Sequence, residues 1–140
     1  MKNYMKIEFP SKSCNESFAR VAAAAFISIL DPKTSEIAEI KTAVSEAVTN
    51  AIVHGYGEEK GIVTLTCQID GDVVTITVND NGKGIADIDL ARTPLYTSSP
   101  ETERAGMGFT LMESFMDEIE VISEEGKGTT VTMIKTIEEE

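Results

Sequence analysis

Long apolar runs are missing from this 140-residue chain, and with them the roughly 20 consecutive apolar residues that a membrane-crossing helix needs. The opening Met1-Lys2-Asn3-Tyr4-Met5-Lys6 has no apolar stretch of the signal-peptide kind, so a cytoplasmic location is expected. Cysteine is scarce: Cys14 and Cys67 have no metal-type spacing, and both read as ordinary thiols in a reducing compartment. Tryptophan is absent and His54 is the single histidine. Basic residues are few, 12 against 24 acidic ones. The resulting formal charge of −12 repels polyphosphate backbones, which argues against DNA or RNA as the main ligand and favours a basic protein surface as a partner.

What is present fits one globular domain spanning 1–140. A hydrophobic share of 41% and a charged share of 26% are enough to build a core without staples. Met5-Lys6-Ile7-Glu8-Phe9 alternates as a half-buried strand and Pro10 ends it. From Asn15 to Leu30 the residues Phe18, Val21, Ala22, Ala25, Phe26 and Ile29 recur at helical steps and predict one buried stripe. A second helix is expected from Thr34 or Ser35 to the Gly55-Tyr56-Gly57 break, with Ile37, Ile40, Val44, Ala47, Val48 and Ala51 facing the core.

Ile62 to Ile69 and Val73 to Val78 read as antiparallel strands joined at Asp70-Gly71. Periodicity then disappears until a short helix from Gly108, with Phe109, Met112, Phe115 and Met116 on one face. Two closing strands flank Glu125-Gly126-Lys127-Gly128. Helices segregated from hairpin-linked strands predict an α/β two-layer sandwich: a mixed, mainly antiparallel sheet covered by helices on one face.

Glu46, Asn50 and His54 are spaced by four along the second helix, one strip of its surface. A solvated face would look the same. The glycine pairs weigh against that reading: Asp80-Asn81-Gly82-Lys83-Gly84-Ile85 follows a strand, Gly106-Met107-Gly108-Phe109 opens a helix, and Gly126-Lys127-Gly128-Thr129-Thr130 joins two strands. Glycine permits close backbone approach to a ligand, and a helix start offers unpaired N–H groups to phosphate. Lys83, Arg92, Arg104 and Lys127 lie in or beside these stretches, local positive charge that suits an anionic small ligand. The P-loop and Gly-x-Gly-x-x-Gly fingerprints are both absent.

The ordered set Glu46-x-x-x-Asn50-x-x-x-His54, Asp80-x-Gly82-x-Gly84, Gly106-x-Gly108 and Gly126-x-Gly128-Thr129-Thr130 resembles the GHKL superfamily, the ATP-binding fold of DNA gyrase, histidine kinase catalytic domains and related chaperones. Within it, the stretches 45–56 and 104–109 resemble the bacterial anti-sigma factor serine kinases, in particular those acting on a sporulation sigma factor of the sigma F type.

The resemblance implies an anti-sigma factor that uses ATP and Mg2+ to phosphorylate a serine of an anti-anti-sigma protein, acts as a homodimer, and contacts neither nucleic acid nor membrane. It implies that Asp80 accepts the adenine amino group, that Asn50 ligates magnesium, and that Glu46 is the general base. Arg104, ending an ATP lid at 87–105, would stabilise charge on the transferred phosphate. His54, Gly82, Gly84, Ile85, Thr97, Gly106, Gly108, Phe109 and Thr130 complete the nucleotide site, and Arg20 on the first helix would touch the sigma factor. Two alternatives stay open: a binding module shaped by ATP without phosphate transfer, and a stress-response kinase acting on a different sigma factor.

Overall fold

A computed structural model describes residues 1–85, 87, 88, 92 and 108–138. Strand β1 (Lys2–Pro10) is followed by helix α1 (Cys14–Ile27) with a 3-10 turn at Ser28–Leu30, then by helix α2 (Thr34–Asn50), which runs on as a π-helix over Ala51–Tyr56. The hairpin β2 (Ile62–Asp70) and β3 (Val73–Asp80) comes next, and helix α3 (Gly108–Phe115), β4 (Glu118–Glu124) and β5 (Gly128–Thr136) close the order.

The five strands line up β1-β2-β3-β5-β4, and each neighbouring pair is antiparallel, so the expected mixed character is absent among the described residues. Alternation explains both faces. Val63, Leu65, Cys67 and Ile69, Val74, Ile76 and Val78, and Val131 and Met133 point under the helices. The threonines between them face the other way, where β-branched polar side chains suit a half-exposed sheet. The outer strand β4 exposes Glu118, Glu120 and Glu124, charges that discourage edge pairing.

The stripe expected on α1 is corrected. Ala19, Ala23 and Ile27 are the buried residues, while Phe18, Val21 and Ile29 are 54%, 55% and 55% exposed. Apolar residues occupy more than one face of this helix, and the alanine face wins because small side chains let α1 approach α2 closely. Helix α2 starts as expected, but its cap is Glu36: Oε1 accepts the Lys33 N–H at 2.8 Å and Oε2 the Glu138 N–H at 2.9 Å. The chain after β5 is thereby tied to the start of α2. Cys67 lies in the core, where burial pushes its thiol up to about 12; this is the inert thiol the sequence suggests.

Candidate functional site

Helix α2 packs against α1, α3 and β3, so its middle turn is buried on all sides, from Ala43 through Val48. Glu46 belongs to that turn and is only 4% exposed, unlike a residue of a solvated helix face. One turn later Asn50 is half-buried. Both side chains converge on the first residue of α3: a Cβ added to Gly108 would sit 3.2 Å from Asn50 Nδ2, 3.3 Å from Asn50 Oδ1 and 3.4 Å from Glu46 Oε2. Burying a carboxylate beside an amide is costly unless a ligand or partner group uses it. His54 falls within the π-helix that continues α2 beyond Asn50.

Asp80 ends β3 on the helix-covered face and is also 4% exposed. Burial raises its carboxyl above the ordinary value, partly countered by backbone N–H groups of Gly82 and Thr129. Gly82 N–H donates to Oδ1 at 2.9 Å. Gly55 faces this carboxylate so closely that a Cβ there would lie 2.8 Å from Asp80 Oδ1. The end of the α2 extension is thus pressed onto the end of β3.

Gly82 and Gly84 of the second stretch and Gly128 of the fourth are needed for backbone contact, whereas a Cβ on Gly126 would meet nothing within 4 Å. A Cβ on Gly82 would meet the Gly55 carbonyl oxygen at 2.1 Å, and one on Gly128, where φ is +106, would meet the Asp80 carbonyl oxygen at 2.1 Å. The loop is held by Lys83 N–H donating to Gly55 O at 2.9 Å and Gly126 N–H to Lys83 O at 2.6 Å. Three stretches far apart in sequence therefore meet around Asp80.

Other expectations fare differently. Thr130 does not border Asp80; alternation turns it to the open face, where its Oγ1 accepts from Asn79 Nδ2 at 2.7 Å. The neighbour of Asp80 is Thr129, its register partner, buried on the helix side. Sequence reasoning missed Thr129, although strand alternation counted from Asp80 identifies it. Ser123 was missed too: its Oγ accepts the Ile85 N–H at 2.7 Å and bonds Thr129 Oγ1 at 2.7 Å.

Phe109 packs into the core, 8% exposed. Arg92 donates from Nε to Glu113 Oε1 at 2.7 Å, and Lys127 lies 3.3 Å from Glu124. Those two of the four nearby cations are matched by carboxylates, contrary to the charge expected for an anionic ligand. Thr97, Arg104 and Gly106, with most of 87–105, lie outside the described residues.

Arg20 borders a groove of about 310 Å³ between α1 and α2, lined also by Ala38, Lys41, Thr42, Ser45 and Glu46. Glu16 of α1 links two of these residues, accepting a hydrogen bond from Ser45 Oγ while its other oxygen lies 3.9 Å from Arg20 Nε. The groove thus leads from two cations to the Glu46 carboxylate.

These residues fit a nucleotide. Asp80 offers a buried acceptor, with capacity beyond the Gly82 bond, to a ring amino group. Among the described residues no cluster of three or more His, Cys, Asp or Glu side chains could hold a metal. The Asn50 amide oxygen suits a magnesium ion that takes its remaining oxygens from phosphates and water.

A family model described as histidine kinase-like ATPase domain matches residues 9–135. The chain is 61% identical over 136 residues to a Clostridium novyi protein named anti-sigma F factor, covering 96% of this chain and 95% of that one. Its likeness to the anti-sigma F factor of Geobacillus stearothermophilus is 58% over 136 residues, with 96% and 93% covered. For the Thermoanaerobacter sp. (strain X514) protein of the same name the values are 59% over 135 residues, 96% and 94%. The family match covers every element except most of β1 and the last residue of β5, and the likeness to these relatives runs nearly end to end. The chain belongs to the histidine kinase-like ATPase domain family, among its anti-sigma F factors.

Proposed function

We propose that this protein is an anti-sigma factor for a sporulation sigma factor of the sigma F type, and an ATP-dependent protein-serine kinase that inactivates an anti-anti-sigma protein. The carrying observation is the buried Glu46 carboxylate beside Asn50 at the start of α3, at the inner end of the groove that Arg20 and Lys41 border. Binding ATP requires Asp80 and the glycine backbone; a carboxylate beside the phosphate-facing helix start is what transfer requires.

In this reading Asp80 accepts the adenine amino group, which guanine replaces with a carbonyl. Asn50 would hold a magnesium ion, whose charge offsets that of the phosphates. Glu46 takes the proton of the incoming serine hydroxyl as its oxygen bonds to the terminal phosphorus and the bond to the ADP oxygen breaks. Arg104 and Thr97 serve the phosphates, His54 the nucleotide, and the 87–105 segment covers it. Arg20, with Lys41 beside it in the groove, receives the protein partner. The exposed Phe18 and Val21 of α1, with Ile29 of the following 3-10 turn, supply apolar surface for a homodimer.

The deciding experiment compares wild type with Glu46→Gln, using labelled ATP, magnesium and a candidate anti-anti-sigma protein. The variant is expected to bind ATP while transfer falls about 10²- to 10⁴-fold. Normal transfer by the variant overturns the assignment of Glu46. Intact binding with no transfer by wild type favours a module that ATP merely shapes. Capture of a different sigma factor in a pull-down overturns the sigma F assignment.

A further inference from the structure

Tyr56 is the last residue of the π-helix, next to Gly55, and nothing in the phosphotransfer scheme uses it. Its hydroxyl makes two bonds at once: it accepts the Asn81 N–H at 2.7 Å and donates to the Ile62 carbonyl oxygen at 2.7 Å. Its ring lies flush on Gly61, where an added Cβ would come within 2.1 Å of a ring carbon. The ring is therefore seated independently of the hydroxyl, and the hydroxyl joins the start of β2 to the backbone just after Asp80.

The Asn81 N–H belongs to the peptide whose carbonyl is Asp80 O. On the other side of that peptide, Asp80 O is in tight contact with Gly128. The plane is held from both sides, by a hydrogen bond from Tyr56 and by backbone packing from β5. The Asp80 carboxylate is tied to the same turn, because its Oδ1 takes the Gly82 N–H. By holding the Asn81 N–H, the Tyr56 hydroxyl fixes the path on which the turn leaves β3, and with it the place of the Gly82 N–H that the carboxylate accepts.

We infer that Tyr56 is a positioning residue for base selection: its hydroxyl fixes the Asp80–Asn81 peptide so that the Asp80 carboxylate meets a ring amino group, and it thereby sets the preference for adenine over guanine nucleotides. The inference rests on the nucleotide reading of Asp80. A purely structural tyrosine would support both nucleotides equally, and its loss would weaken both equally. A positioning tyrosine affects only the nucleotide that uses the carboxylate.

Tyr56→Phe removes the hydroxyl and keeps the ring on Gly61. ATP and GTP dissociation constants are measured by calorimetry for both proteins, with kcat and KM for ATP and the melting temperature alongside. ATP affinity is expected to fall about three- to tenfold, the loss of about one hydrogen bond's worth of orientation. GTP affinity should be unchanged, so discrimination shrinks by the same factor, KM rises, and kcat at saturating ATP persists. Equal losses for ATP and GTP, or none for ATP, overturn the inference. Should the variant fail to fold, exchange of the Asn81 amide in wild type decides: slow exchange supports the bond to Tyr56, and exchange at the rate of an open loop overturns it. A wild type that binds ATP no better than GTP instead refutes the reading of Asp80 on which the inference stands.

Discussion

Asp80 keeps a carboxylate in the core of the site, and burial raises its proton affinity despite two backbone N–H partners. For a raised carboxyl, the charged form is less favourable in the folded than in the unfolded chain. Stability is therefore greatest relative to an uncharged side chain below the unfolded value near 3.8, and declines as pH rises through the folded value. Asp80→Asn removes that dependence. Its unfolding free energy should gain on wild type as pH rises from 3 to 7, as read by urea titration at several pH values; a pH-independent difference would refute a buried, ionising Asp80. The same variant presents an amide where an acceptor is wanted and should weaken ATP binding by about 1–3 kcal/mol. Sequence order alone selected Asp80. Its burial and its neighbour Thr129 required the pairing of β3 with β5, because Thr129 and Thr130 are distinguished only by which face each occupies.

Turns show how context decides what a glycine is worth. Gly71 joins β2 to β3 at φ +65, and a Cβ there meets nothing within 4 Å. Gly71→Ala should cost about 1–2 kcal/mol, the left-handed penalty alone. Gly128 combines φ +106 with a contact of 2.1 Å to the Asp80 carbonyl oxygen. Gly128→Ala must also displace β3 from β5 at the site, and its cost should exceed about 4 kcal/mol with loss of ATP binding. Thermal melts of the two variants test the contrast, and equal melting temperatures would refute it. Both glycines look alike in sequence, each in a good turn motif, because steric contact with a distant strand leaves no local signal. Helix α2 teaches the same lesson: its start was legible from Thr34 and Glu36, whereas the change to a π-helix after Asn50 has no counterpart in apolar spacing.

At the scale of the molecule, Glu36 closes the chain on itself by joining the start of α2 to Glu138 beyond β5. Burial raises its carboxyl, but the N–H groups of Glu138 and Lys33 and the charges of Lys33 and Lys135 outweigh this and hold it below its ordinary value. A lowered carboxyl contributes stability above the unfolded value that is lost as pH falls through the folded one, opposite in sign to Asp80. Glu36→Ala should cost about 2–3 kcal/mol at pH 7 and less below pH 4, with faster exchange at the Lys33 and Glu138 amides. An equal cost at both pH values would show that packing, not charge, is what Glu36 supplies. In the proposed homodimer the exposed Phe18 and Val21 of α1 form the contact. Val21→Glu should leave the melting temperature of dilute protein unchanged and shift sedimentation toward monomer; an unaltered dimer would place the interface elsewhere.

The sequence by itself determined the element order, the strand faces, and the ordered residues Glu46, Asn50, Asp80 and the glycine pairs, because periodicity and motif order are local properties. Only the tertiary structure decided which apolar face of α1 is buried, that Glu46 is enclosed, that Thr129 faces Asp80, and that Tyr56 reaches Asn81. Each of those depends on which elements pack together across long stretches of chain, and close packing is settled by the shapes of both partners.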